Sequence, residues 1–147
     1  MTKNEIRAIL SSILSAEVGG IDSPTETDWS LLERRFATHF PVEFKVFIEL
    51  MSEFSFPGDI YNAIQAGRTN GNDSILTVYE NEINAGWPEN LIPFYGIGNG
   101  DYFALDKNEG IQSAVYYRYH EDGNVVKYSS SFEEWLKHLP AFLRGND

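Results

Sequence analysis

Apolar residues recur at the spacing of an amphipathic helix in the first third of the chain, where they predict three helices. Thr2 and Glu5 form a capping box before the first helix, and Gly19-Gly20 ends it. Thr27 is the predicted cap of the second helix, and Pro41 ends that helix and opens the third. The apolar stripes are Ile6, Ile9, Leu10, Ile13 and Leu14 in the first helix, Trp29, Leu32, Phe36 and Phe40 in the second, and Phe44, Phe47, Ile48 and Met51 in the third.

The pattern changes after the third helix. Residues 52–71 are rich in turn-forming residues and predict a loop with at most one short strand. Asp73 is the predicted cap of a fourth helix that ends near Ala85. Ser131 and Glu134 form a predicted capping box for a last helix whose clean pattern ends at Pro140. Four runs of strand composition lie between these two helices, namely LIPFY, DYFALD, AVYYRYH and NVVKYS.

This order of elements predicts the α+β class, with N-terminal helices packed on a mainly antiparallel sheet and a closing C-terminal helix. The chain shows no internal repeat and no linker, so we expect residues 1–147 to form a single domain. The turn between the last two strands is predicted at Glu121-Asp122-Gly123-Asn124, because Asp-Gly tolerates the positive φ of hairpin turns.

The segment Gly96-Ile97-Gly98-Asn99-Gly100 contains three glycines, which suit either a phosphate-binding loop or a turn between strands. A dinucleotide fingerprint requires a third glycine where Asp101 stands, and a phosphate loop requires Lys and then Ser or Thr in place of Asp101 and Tyr102. Both motifs also open a helix, whereas the next residues have strand composition. We therefore predict a turn that binds no nucleotide and has at least one glycine at positive φ.

The sequence predicts neither a catalytic site nor a metal or cofactor site. There is no cysteine and no Gly-x-Ser-x-Gly elbow for a serine nucleophile. The three histidines are His39, His120 and His138, and none of them has a second histidine at i+2, i+3 or i+4. Tyr117 and Tyr119 share one face of a strand, where cross-strand packing is favoured over stacking of nucleic-acid bases because basic neighbours are missing.

The chain is acidic, with 22 Asp and Glu against 11 Lys and Arg and a formal net charge of −11. This charge repels phosphate backbones and anionic lipid, so we expect a basic protein partner and neither nucleic acid nor a membrane. Residues 69–106 contain six acids and no Lys or Arg. The predicted partner-binding residues are Glu80, Glu82, Glu89, Asp101 and Asp122. The alternative is that these acids only keep the protein soluble.

The first twenty residues lack the uninterrupted apolar core of a signal peptide, and no later stretch is long enough to span a bilayer. The sequence therefore predicts a cytoplasmic protein. The hydrophobic content of 42% and aromatic content of 14% predict a folded chain rather than a disordered one.

Three stretches have the order and spacing of known family motifs. FPVEFKVFIELM (Phe40–Met51) resembles a Leu-Pro-x-x-Tyr/Phe-x-x-Phe-Leu segment, and LIPFYGIGNGDYFALD (Leu91–Asp106) resembles Ile-Pro-Phe followed by a Gly-rich turn and a strand that ends in Asp. SSSFEEWL (Ser129–Leu136) resembles a closing Ser-Phe-x-x-Phe/Trp-Leu helix. These are motifs of the Smi/Knr-type domains of the SUKH superfamily, and the resemblance covers nearly the whole chain. The chain departs from the family after the third helix, where it reads SEFSFPGD in place of Gly-Gly or Asn-Gly.

The resemblance implies a binding protein without catalytic activity. Many bacterial members of this superfamily resemble immunity proteins, which bind and block a cognate toxin domain that is often a nuclease. A nuclease holds phosphates with basic residues, so an acidic protein can cover that surface and associate quickly. The alternatives are a regulatory scaffold with no toxin partner and a hydrolase that uses dispersed acids.

Overall fold

The computed structural model describes residues 1–17, 21–65 and 73–145. The helices are α1 (Lys3–Ser11), α2 (Glu26–Phe36), α3 (Val42–Leu50), α4 (Ile75–Ile83) and α5 (Phe132–Leu143). The strands are β1 (Ser15–Ala16), β2 (Phe54–Ser55), β3 (Asp59–Ile60), β4 (Leu91–Gly96), β5 (Tyr102–Asp106), β6 (Val115–Arg118) and β7 (Val125–Ser129). Strands β3 to β7 form an antiparallel sheet in chain order, and β1 pairs with β2. The predicted α+β class is confirmed.

Helix starts follow short side-chain signals. The Thr2 hydroxyl accepts from the Glu5 amide while the Glu5 carboxylate accepts from the Thr2 amide, so the predicted capping box of α1 is confirmed. Ser131 caps α5 by accepting from the Glu134 amide, as predicted, but no described contact returns from the Glu134 carboxylate to the Ser131 amide, so the capping box is only half formed. The predicted cap at Thr27 is wrong, because Thr25 caps α2 and the Asp28 carboxylate accepts from the Thr25 amide and hydroxyl. The cap of α4 is Ser74 rather than Asp73.

Helix ends are set less locally than helix starts. Ala37 adopts a left-handed conformation with φ of 54°, so α2 ends at Phe36 and not at Phe40. The Phe40 ring still packs 5.8 Å from Trp29, because the chain turns back onto α2. Helix α5 continues through Pro140 to Leu143, beyond its predicted end.

The remaining boundary predictions concern α1, α4 and the segment after α3. Helix α1 ends at Ser11, and Gly19-Gly20 lie outside the described residues. Helix α4 ends at Ile83, two residues before the predicted end. The segment 52–71 contains two short strands rather than at most one, since β2 pairs with β1 and β3 pairs with β4. Residues 66–71 of that segment are outside the described part.

The two faces of the sheet pack against different elements. Phe103 pairs with Tyr95 and Tyr117, and this face lies against α5 through Trp135, whose ring centroid is 5.5 Å from that of Phe103. A β-bulge between Pro93 and Tyr95 turns the Phe94 ring to the same face.

The opposite face of the sheet carries Tyr102 and Arg118, which are paired across β5 and β6. Both lie against Trp87, which follows α4. The Tyr102 ring centroid is 5.3 Å from that of Trp87, and the Arg118 guanidinium lies 5.0 Å from the same ring. The sheet is therefore covered on its two sides by α5 and by the α4 region.

Buried aromatic side chains fill the space between the helices and the sheet. Six of them are essentially inaccessible to solvent, namely Phe44, Phe47, Phe94, Phe103, Phe132 and Trp135. Several meet edge to face, which adds about 0.5–1.5 kcal/mol per pair to the free energy of burial. In the described residues, no helix combines the length and apolar character needed to cross a membrane.

Candidate functional site

The glycine segment is the turn between β4 and β5, as predicted. Gly96 pairs with Tyr102, and the Ile97 amide donates to the Asp101 carbonyl oxygen. Gly98 and Gly100 have φ of 101° and 98°, so the predicted positive φ is confirmed. A Cβ atom on Gly100 would lie 3.0 Å from the Cβ and Cγ atoms of His120, which shows that this turn packs against the turn between β6 and β7.

The segment also borders a cleft of about 220 Å³, whose lining includes Asp59, Tyr61 and Tyr102. A Cβ atom on Gly96 would overlap the Tyr61 hydroxyl, so the side chain of Tyr61 occupies the space that this glycine leaves. Burial raises the pKa of the Tyr61 hydroxyl, with a further rise from Tyr102 and Asp59. Asp101 also lines this cleft, and two carboxylates beside phenols are unsuited to phosphate because the charges repel.

Asp101 is only 6% exposed, although it was one of the predicted contact residues. Its carboxylate accepts from the Tyr117 hydroxyl at 2.6 Å and from the His120 amide at 2.8 Å, and it lies 2.6 Å from His120 Nδ1. Burial raises the pKa of Asp101, but the hydrogen bonds from Tyr117 and His120 outweigh burial and leave the pKa below its ordinary value. Asp101 therefore points into the protein and fastens the β6–β7 turn to the glycine turn.

The predicted glutamates lie on or just after α4, and cations from distant parts of the chain approach two of them. The exposed Glu80 forms an ion pair of 3.6 Å with Arg35 of α2. The exposed Glu89 lies 3.4 Å from the ammonium group of Lys107. Glu82 is half-buried, and its carboxylate accepts from the Tyr102 hydroxyl at 3.0 Å. The absence of Lys and Arg from residues 69–106 therefore does not leave this region without cations in space.

Asp122 lies in the β6–β7 turn, as expected, and is exposed. Its carboxylate accepts from the amide and the side chain of Asn124, and Gly123 has φ of 73°. The neighbouring Glu121 is also exposed, and neither acid makes an ion pair with a described residue. These two carboxylates are therefore available to a cationic partner.

The five predicted residues do not form one patch. Tyr102, which binds Glu82, and Tyr117, which binds Asp101, stand on opposite faces of the sheet, because β5 pairs Tyr102 with Arg118 and Phe103 with Tyr117. Glu82 thus belongs to the α4 side of the sheet. Asp122 belongs to the end of the sheet where the turns 97–101 and 119–124 meet.

Sequence reasoning did not identify the exposed apolar residues beside Asp122. Tyr119, Val125 and Val126 are 44%, 38% and 43% exposed, whereas most large apolar side chains are buried. The sequence contained a signal for this exposure in the two adjacent valines of the last strand. Neighbouring residues of a strand face opposite sides and only one side of β7 can meet α5, so α5 cannot cover both valines. The Tyr117 and Tyr119 rings, 4.8 Å apart, share a face as predicted.

The three motif stretches meet in the core and not at this surface. Each contributes one phenylalanine, and the rings of Phe44, Phe94 and Phe132 contact one another with centroids 5.4 to 5.6 Å apart. The motifs therefore specify packing of α3, the β4–β5 hairpin and α5. They carry no information about which surface binds a partner. Within the described residues, no group of three or more His, Asp and Glu side chains is placed to hold a metal ion.

Comparison with protein families gives a match over most of the chain. A family model described as SMI1-KNR4 cell-wall, one of the SUKH families, matches residues 4–142. The matched range extends from α1 into the last turn of α5, so it includes all three motif stretches. No curated protein matches the chain in sequence.

Proposed function

Because this chain belongs to the SMI1-KNR4 family of the SUKH superfamily, we propose that it is a non-catalytic protein-binding domain that acts as an immunity protein. In this role it binds and neutralises a cognate toxin domain. The family match over residues 4–142 is the observation that carries the proposal. The net charge of −11 supports a toxin with a basic binding surface, such as the phosphate-binding surface of a nuclease.

The surroundings of the Asp101–His120 pair favour a structural role over a catalytic one. The Asp101 carboxylate contacts Nδ1 of the His120 ring, but no described side chain bonds the second ring nitrogen, as the nucleophile of a catalytic triad would. Here the same carboxylate also accepts from the Tyr117 hydroxyl and the His120 backbone amide, which are contacts that hold a loop in place. Hydrolysis of a nucleotide or ester by the pure protein, abolished in a His120→Ala variant that remains folded, would contradict this part of the proposal.

The test of the immunity role is protection from a toxin. The tagged chain is purified from its native cell, and the proteins that accompany it are identified. If a toxin gene lies directly upstream of the gene for this chain, that toxin is then expressed with and without the chain. We expect a stable complex, restored growth, and association that slows as the salt concentration rises. Absence of protection by the chain against the toxin that co-purifies with it would refute the proposal.

Charge reversal provides the matched comparison in the same assay. Rim charges mainly set the association rate and its salt dependence. If acids of the β6–β7 turn meet the toxin, reversing Glu121 and Asp122 to Lys slows association and flattens its salt dependence. Reversing Glu80 and Glu89, which already have cationic neighbours, then leaves both quantities nearly unchanged. The opposite ranking would place the interface on the α4 side.

The family description, which refers to the cell wall, favours a second candidate function. In that case the chain is a regulatory scaffold that binds a protein other than a toxin. A partner that co-purifies without toxicity, and whose binding is insensitive to salt, would favour the scaffold.

A further inference from the structure

Strand β7 is the last strand of the sheet, and no strand in the described part of the chain pairs with its outer edge. The side chains of Val125, Val126 and Lys127 are all exposed, so no described element covers this edge. An edge strand of this kind presents unpaired backbone N–H and C=O groups to which another strand can add.

The hydrogen-bond pattern shows which backbone groups point outward. The Tyr119 amide donates to the Asn124 carbonyl oxygen, and the register pairs Arg118 with Val125 and Tyr117 with Val126. Since antiparallel pairs alternate between hydrogen-bonded and non-hydrogen-bonded, the backbone groups of Val125 and Lys127 face away from β6. They are therefore directed to the open edge of the sheet.

The side chains around this edge favour a particular chemistry in the partner. Tyr119, Val125 and Val126 offer apolar contacts, and the two valines lie on opposite faces of the strand. Glu121 and Asp122 add two exposed carboxylates at the end of the strand, without an ion pair to a described residue. An extended segment with apolar residues, with Lys or Arg beside Glu121 and Asp122 and with no like charge opposite Lys127, matches these features.

A second copy of the same chain fits this edge less well. Two copies that each carry a net charge of −11 repel each other. In a symmetric antiparallel pairing about the centre of β7, Lys127 would also face Lys127 of the second copy, and the two positive charges would repel. Edge lysines are a common device against this kind of self-association.

The edge is held in place before a partner arrives. Asp101 binds both the His120 amide and the His120 ring, and the glycine turn packs against that ring. Little ordering of the β6–β7 turn is then required on binding, which favours affinity.

We propose that the outer edge of β7 binds an extended, basic segment of the partner protein, which adds to the sheet as a sixth strand next to Glu121 and Asp122. The inference rests on the proposed function, since it takes the partner to be a protein. It assigns the contact with the partner to the edge of β7, which is a different surface from the one that carries the acids of α4.

The probe is a synthetic heptapeptide of alternating Lys and Val, titrated into the full ¹⁵N-labelled chain and followed by NMR. A Glu–Val heptapeptide of the same length controls for charge, and a Lys–Val peptide with every backbone nitrogen methylated controls for strand pairing. We expect amide shifts confined to residues 119–128, with slowed amide exchange at Val125 and Lys127. The two control peptides should produce much smaller shifts.

A pair of variants separates backbone pairing from side-chain contacts. Lys127→Pro removes an outward amide and blocks the edge, while edge strands tolerate proline. Lys127→Ala removes the charge and keeps the amide. We expect Lys127→Pro to weaken peptide binding about tenfold more than Lys127→Ala, as the loss of a backbone hydrogen bond predicts. If Lys127→Pro lowers the thermal midpoint, Val125→Pro and Val125→Ala provide the same comparison.

Equal shifts with the acidic peptide, shifts centred on α4, or no shift at β7 would each overturn the inference. Protection of β7 by concentration-dependent self-association without peptide would overturn it in favour of a second copy. Toxin neutralisation with no peptide binding at β7 refutes only this inference. Peptide binding at β7 by a chain that gives no protection from the toxin refutes only the proposed function.

Discussion

Replacement of Asp101 by alanine tests whether this carboxylate holds the two turns together. A hydrogen bond to a charged group contributes about 1.5–3 kcal/mol to the free energy of unfolding. The His120 side chain is 46% exposed, so water can replace its bond, and the bonds from the Tyr117 hydroxyl and the His120 amide remain as the main losses. Because losses at neighbouring groups are not additive, we expect Asp101→Ala to cost about 3 kcal/mol.

The conservative change Asp101→Asn keeps the shape of the side chain. The amide oxygen can accept from the His120 backbone, and the amide nitrogen can donate to the Tyr117 oxygen, so we expect a loss of about 1 kcal/mol. Urea unfolding followed by circular dichroism measures both losses. For a chain of this size the alanine variant should melt roughly 6–12 °C below the wild type.

The same carboxylate predicts a change of stability with pH. The pKa of Asp101 in the folded protein lies below its ordinary value of 3.8. Its contribution to the free energy of unfolding is therefore present above about pH 4 and is lost as the pH falls through the folded-state pKa. We expect the difference in stability between wild type and Asp101→Asn to shrink on acidification.

Two comparisons show whether the reasoning is correct. Glu121→Ala removes an exposed acid from the same turn and should change the free energy of unfolding by less than about 0.5 kcal/mol. Asp101→Ala combined with Tyr117→Phe should show a coupling energy of about 1–2 kcal/mol. The reasoning is refuted if Asp101→Ala is as mild as Glu121→Ala, or if the two changes at Asp101 and Tyr117 are simply additive.

Two further predictions concern packing. Gly96→Ala places a methyl group against the Tyr61 hydroxyl and should lower the free energy of unfolding, measured in urea, by about 1–3 kcal/mol. The double variant with Tyr61→Phe should recover part of this loss, and equal losses with and without the hydroxyl would contradict the contact. Phe44→Ala, in the centre of the core, should lower the free energy of unfolding by about 3–5 kcal/mol, whereas Val42→Ala on the exposed face of α3 should lower it by less than about 0.5 kcal/mol. Similar urea midpoints for both variants would show that Phe44 is not a core residue.

The comparison of α1 with α2 shows which features of the fold could be predicted. The capping box at Thr2 and Glu5 was correct because both partners stand three residues apart and need no other part of the chain. At α2 the same local rule favours Thr25, because Asp28 stands three residues after it, whereas Ser30 stands at that spacing from Thr27. The prediction of Thr27 overlooked this signal, and the Asp28 carboxylate binds both the amide and the hydroxyl of Thr25. The premature end at Ala37 has no marker in the sequence, since alanine rarely adopts a positive φ.

The candidate site depends on long-range contacts to a greater extent. The sequence placed Asp122 in an exposed turn, because Asp-Gly is a local turn signal. It also suggested one negative region from the absence of Lys and Arg between residues 69 and 106. The structure brings Arg35 to Glu80 and Lys107 to Glu89, and pairing of β5 with β6 turns Asp101 inward.

Periodicity, caps and turn residues thus determined the α+β class, the glycine turn and the three motif stretches of the core, since each depends on neighbours along the chain. Only the tertiary structure decided which acids remain without a cation and which strand edge stays open. Charge neutralisation and strand pairing join residues that are far apart in sequence, such as Arg35 and Glu80 or β3 and β4. The energy of such a contact depends on the distance in space between the two groups, and the order of residues in the chain does not give this distance directly.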